Sequence, residues 1–99
     1  MSKLFQIQLS NGNMYVTRET DIEDFFKHKI YKLKKGCVVR NTVTQNGQGS
    51  TQLFDISKNF LYDLPIFIQT SCINEVATII KGSELDKLYV KVTSNIILN

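Results

Sequence analysis

Phe5-Gln6-Ile7-Gln8-Leu9-Ser10-Asn11-Gly12-Asn13-Met14-Tyr15-Val16-Thr17 is the stretch from which the rest of the fold is read. Apolar and polar residues alternate on both sides of Asn11-Gly12, a dipeptide suited to the two φ > 0 positions of a type I′ turn. A two-residue turn there sets a register in which Leu9 faces Met14, Gln8 faces Tyr15 and Ile7 faces Val16. Phe5, Ile7, Leu9, Met14 and Val16 then share a core face, and Gln6, Gln8, Tyr15 and Thr17 a wetter one.

The same logic applies downstream. Cys37 to Gln45 and Gln48 to Ile56 flank Asn46-Gly47, and a tight turn pairs Val39 with Phe54 and Cys37 with Ile56. Arg40 and Asp55 then lie diagonally on the opposite face. The glycines of Gly47-Gln48-Gly49-Ser50 also permit a longer, looser loop.

Between the hairpins, Thr20 and Glu23 form a capping box that opens a helix over residues 21–34. Ile22, Phe25, Phe26, Ile30 and Leu33 recur at helical spacing, which assigns Phe25 and Phe26 to the core, and Gly36 can close the C-terminus. Lys29 projects onto the apolar stripe, so either it snorkels or the helix frays near His28 and the chain continues extended. Ser71 caps a second expected helix over 72–81, with Ile73, Val76, Ala77 and Ile80 on one face and Gly82 past its end. Ser57 starts a short helical turn through Phe60 and Leu61 that ends before Pro65. Ile66 to Gln69, Leu88 to Val92 and Ile96 to Leu98 read as strands.

The expected class is therefore α+β in one domain over residues 1–99. A small antiparallel or mixed β-sheet is built from two hairpins, about 3–17 and 37–56, plus C-terminal strands. Two helices, about 21–34 and 72–81, pack on one face of it.

Composition agrees with an ordinary globular chain of 99 residues: 42% hydrophobic, 21% charged, five Gly and one Pro. The glutamines at positions 6 and 8 interrupt what would be a secretory leader, and no apolar run approaches the roughly 20 residues that a membrane span needs. Two cysteines, Cys37 and Cys72, are too few for a disulfide scaffold, and no Asn-x-Ser/Thr acceptor is present. The reading is a cytoplasmic protein with reduced thiols, although one Cys37–Cys72 bridge stays open.

Net charge is +3, and the excess is local. Glu19, Asp21, Glu23 and Asp24 precede Lys27, Lys29, Lys32, Lys34, Lys35 and Arg40, a basic run with no acid inside it. With Tyr31 among them, these residues form the candidate nucleic-acid-binding segment, because clustered cations gain by releasing counterions from phosphates. The competing account is that lysines at a helix C-terminus complement its dipole and keep the surface soluble.

Reactive chemistry finds little support. His28 is the only histidine and reads as a surface partner of Asp24. No Cys-x-x-Cys, nucleophile elbow or phosphate-binding loop occurs, so neither a metal nor a cofactor is expected and no catalytic residue is assigned. Asp55, Asp63 and Glu75 are the carboxylates that could meet in space to make an enzyme of unassigned class. The leading expectation is a non-catalytic interaction module acting by protein contact or self-association as a homodimer, through a sheet edge or an outward face. A nucleic-acid-binding protein using residues 27–40 is the alternative. Heavy use of Asn, Ile and Lys resembles, in composition alone, the short reading frames of viruses and mobile elements with AT-rich genomes.

Overall fold

A computed structural model describes residues 2–58 and 63–94. Its strands are β1 (Lys3–Leu9), β2 (Met14–Glu19), β3 (Ile30–Leu33), β4 (Cys37–Val43), β5 (Gly49–Asp55), β6 (Ile66–Gln69) and β7 (Ile73–Thr78). One helix, α1 (Glu84–Thr93), and two 3-10 turns, Ile22–Phe25 and Thr70–Cys72, complete the described elements. The expected α+β class with two helices on one face is therefore overturned: the described chain is mostly sheet, in a five-stranded layer ordered β5-β4-β2-β1-β7 and a separate pair, β3-β6. All the strand pairings are antiparallel.

Both hairpins form, with a register one residue from the expected one. Gln8 faces Met14 and Ile7 faces Tyr15; Val38 faces Phe54 and Cys37 faces Asp55. The cause is the same at each tip. Leu9 N–H donates to Asn13 O at 2.8 Å and Gly12 N–H to Leu9 O at 3.0 Å, while Thr44 N–H donates to Gln48 O at 2.8 Å and Gly47 N–H to Thr44 O at 2.9 Å. These are three-residue loops: a β-turn followed by a left-handed glycine, Gly12 at φ +93° and Gly47 at +79°. A type I′ turn would also need positive φ at Asn11 and Asn46, and among the described residues only glycines adopt it.

A one-residue slip turns the partner strand over. Tyr15 and Thr17 are buried on the face of Phe5, Ile7 and Leu9, whereas Met14 and Val16 join Leu4 on the other face. In the second hairpin Arg40 pairs with Gln52, so it does not share a face with Asp55.

The segment expected as helix 21–34 makes a single 3-10 turn and then runs extended as β3. Asp24, not Glu23, supplies the capping carboxylate, accepting from Asp21 N–H at 3.1 Å and from the Thr20 hydroxyl. Extension, the second alternative posed by Lys29, is the outcome. Tyr31 and Leu33 point to the core and Ile30 and Lys32 to solvent, a period of two that a β-branched and aromatic segment accommodates well. Phe25 is fully buried, edge-on to Phe5 at 5.2 Å, but Phe26 is 51% exposed.

Helix 72–81 is also overturned, and the spacing that suggested it has another origin. β7 pairs with β1, and a bulge lets Gln8 face Glu75 but Leu9 face Ile73. Asn74 is the extra residue, so Ile73 and Val76, three apart, both reach the cluster of Phe5, Ile7 and Leu9. Gly82, read as the end of that helix, precedes α1 with φ +83°. Ser83 is the N-cap, its Oγ accepting from Asp86 N–H at 3.4 Å, and the Asp86 carboxylate accepts from Gly82 N–H at 2.8 Å. The expected strand Leu88 to Val92 is thus helical. Leu85, Leu88, Tyr89 and Val92 make its inward stripe and Val90 is exposed.

Ile66 to Gln69 is the short strand expected. The turn through Phe60 and Leu61 and the strand Ile96 to Leu98 lie outside the described residues.

The five-stranded sheet is covered on both sides. β3-β6 and Phe25 pack on the face of Phe5, Ile7, Tyr15, Val38 and Ile56, while α1 packs on that of Leu4, Val16, Cys37, Val39 and Leu53. Among the described residues, no helix is long and apolar enough to cross a membrane.

Candidate interaction surfaces

The reactive groups are dispersed. Asp55 and Glu75 sit on β5 and β7, the two opposite edge strands, and Asp63 is exposed in a loop. Asp55 Oδ1 is occupied by Ser57, which donates its N–H at 2.9 Å and its hydroxyl at 2.7 Å. Cys37 is a free, fully buried thiol whose pKa burial pushes up to about 12, with the Asp55 charge adding to the effect. Cys72 is also free, half-buried, and donates to Gln69 Oε1 at 3.7 Å. His28 is exposed, and no group of three or more His, Cys, Asp or Glu among the described residues is arranged to hold a metal.

The basic run is split between several elements. Lys27 and Lys29 lie exposed in the loop before β3, Lys32 on its outward face, Lys34 and Lys35 in the β3–β4 connection, and Arg40 halfway along β4. Lys29 O accepts from Thr70 N–H at 2.9 Å, which extends the β3-β6 ladder by one bond. Tyr31 does not belong to this surface. It is 9% exposed, its ring lies 5.0 Å from that of Phe25, and its hydroxyl donates to Glu19. Burial, then that hydrogen bond, pushes its phenol pKa up. The ring is spent in the core and is not free to stack on a base.

The most extensive exposed feature is an arm. From residue 40 to residue 52 every position on β4, its tip and β5 is exposed. β4 pairs with β2 only through Val38 and Cys37, so beyond Val39 the arm is a two-stranded ribbon that leaves the sheet. Its cross-strand pairs are mostly polar: the Thr42 and Ser50 hydroxyls are hydrogen-bonded at 2.6 Å, and Thr51 Oγ1 donates to Asn41 Oδ1 at 2.9 Å. Between the arm and α1 opens a cleft of about 610 Å³, lined by Met14, Val39, Leu85 and Leu88 and edged by Asn41 and Thr51.

The direction of the arm's backbone groups follows from its ladder. Thr44 N–H bonds Gln48 O at the tip and Ile56 N–H bonds Gly36 O at the base, so even-numbered residues face each other in the hydrogen-bonded pairs. Gly49, Thr51 and Leu53 consequently turn their N–H and C=O groups away from β4, to an edge that no other described strand pairs.

A second exposed feature was hidden by the helical reading of 21–34. The outward face of β3-β6 carries Ile30 opposite Gln69 and Lys32 opposite Phe67. Phe67 is 64% exposed. The alternation of Ile30, Tyr31, Lys32 and Leu33 is the signal in the sequence from which this face could have been found. Compared with protein-family models, curated proteins and solved structures, the chain matches none.

Proposed function

We propose that this chain is a cytoplasmic, non-catalytic interaction module that acts by protein contact, pairing the open edge of β5 with a strand of a partner, in the first instance a second copy of itself. The observation that carries this reading is the chemistry of that edge. Gly49, Ser50, Thr51, Gln52, Leu53 and Phe54 contain no charge and no proline, the features by which folded proteins blunt their edges. β7, the opposite edge, carries Glu75. Antiparallel pairing of β5 with β5 about a two-fold axis brings no like charges together across residues 49–54, and main-chain bonds supply the affinity, as in β-augmentation generally.

Sedimentation velocity across a concentration series tests this reading. Wild type is expected to dimerise, and Thr51→Pro, which removes an N–H aimed at the open edge but none bonded to β4, is expected to stay monomeric with unchanged circular dichroism. A monomeric wild type, or a Thr51→Pro variant that dimerises like it, overturns self-pairing through this edge.

A further inference from the structure

From the outward face of β3-β6 we infer a second site, one that binds single-stranded nucleic acid by stacking a base on Phe67 while Lys32 and Lys34 hold the flanking phosphates. The face lies apart from the β5 edge, and its ligand is of a different class.

Phe67 is the starting point. A phenyl ring 64% exposed in the middle of a strand is held there by the ladder, because its neighbours Ile66 and Ile68 point inward to the core with Tyr31 and Leu33. Burial of Ile68 and Leu33 therefore fixes the phenyl outward on a rigid platform. Lys32 stands directly across from it, within the roughly 5 Å of a cross-strand pair. Lys34, exposed, follows β3 by one residue at the start of the β3–β4 connection. Ile30 and Gln69 continue the face on the other side.

Charge decides the kind of ligand. No Asp or Glu occurs on either strand of the ribbon; Asp24 and Asp63 stand beyond it, Asp24 beside Lys27, and Lys29, Lys32, Lys34 and Lys35 all come from the β3 side. An apolar patch without cations would suit a protein partner. An aromatic face set beside ammonium groups matches the alternation of base and phosphate, and its stacking half requires an unpaired base. Tyr31 takes no part, and Arg40 lies on the arm.

Fluorescence anisotropy with labelled dT12, U12 and a 12-base-pair duplex in 50 mM salt tests the site. The full chain is expected to bind one or both single strands, and the duplex at least tenfold more weakly. Phe67→Ala should weaken binding about five- to hundredfold and Phe67→Trp should preserve it. Val90→Ala, at an exposed apolar residue on α1, should leave it unchanged. Replacing Lys32 and Lys34 with Gln should reduce the slope of log affinity against log salt by about 1.4, two phosphates at about 0.7 each. This pair keeps the proposal testable should Phe67→Ala fold poorly. Phe67→Ala binding like wild type, a duplex bound as tightly as a single strand, or a salt slope unmoved by the double substitution overturns the site. So does a loss of self-association on Phe67→Ala with oligonucleotide binding intact, which would assign the face to a protein partner.

Discussion

Gly36 approaches β2 so closely that a β-carbon placed on it would stand 2.5 Å from the carbonyl oxygen of Val16. The contact brings the β3–β4 connection across β2, where Thr17 Oγ1 donates to Lys35 O at 2.7 Å. Gly36 also has φ +145°, where an L side chain is strained. Gly36→Ala therefore meets a backbone atom and an unfavourable dihedral together, and is expected to destabilise the protein by about 2 to 5 kcal/mol in urea unfolding. Gly12→Ala, with open space around the new methyl, should cost only about 1 kcal/mol.

The two thiols should differ sharply in reactivity. Cys72 is half-buried and Cys37 fully buried with its pKa near 12, so a thiol reagent at pH 8 should label Cys72 in the native protein and Cys37 only on unfolding. The sign of the pH dependence follows. The folded state holds the Cys37 proton more tightly than the unfolded chain, whose thiol has a value near 9.0. Stability from this group is full below pH 9 and is lost as pH rises towards 12, at up to about 1.4 kcal/mol per pH unit. Tyr31 and Tyr89, both raised chiefly by burial, add to the loss only above about pH 10. Denaturant titrations at pH 8 to 10.5 should show the decline beginning near 9, and Cys37→Ala should delay its onset to near 10.

Ser83 is the start signal of the only α-helix among the described residues, and Ser83→Ala is expected to lower stability by about 1 kcal/mol. The helix lays Tyr89 into the cluster of Leu4, Val16, Cys37 and Leu53, with the Arg18 guanidinium 5.4 Å from its ring centre. Tyr89→Ala should accordingly cost much more, about 3 to 5 kcal/mol, while Val90→Thr on the exposed side should stay within about 0.5 kcal/mol. Thermal melts of the three variants rank the contributions.

These same residues explain what the sequence disclosed and what it withheld. The two Asn-Gly reversals located both hairpins, because a turn dipeptide acts locally. The face assignments failed with the loop length, since one extra residue inverts the partner strand. Ile73 and Val76 imitated a helix because the bulge at Asn74 adds a residue that only pairing with β1 reveals. Leu88, Val90 and Val92 imitated a strand, although Ser83-Glu84-Leu85-Asp86 is a capping pattern visible without coordinates. Of the candidate site, the lysines were legible as charge. Phe67 was not, because its exposure depends on β3 and β6 meeting across more than thirty residues of chain.

The arm's tip offers a direct test of the observed β4-β5 register. In the observed loop Gly47 alone has positive φ, and Asn46 does not. Asn46→Ala should then leave the β4-β5 ladder intact, and Gly47→Ala should cost about 1 kcal/mol. A two-residue type I′ turn would penalise both substitutions alike, since both central residues have positive φ there. The arm packs on no core of its own, so the loss should appear as local fraying rather than global unfolding. Amide hydrogen exchange reads this directly: protection at Thr42, Thr44 and Ser50 should fall in Gly47→Ala and hold in Asn46→Ala. Equal losses in the two variants would restore the two-residue turn, in which Val43 and Asn41 rather than Thr42 and Thr44 would turn their N–H groups to β5.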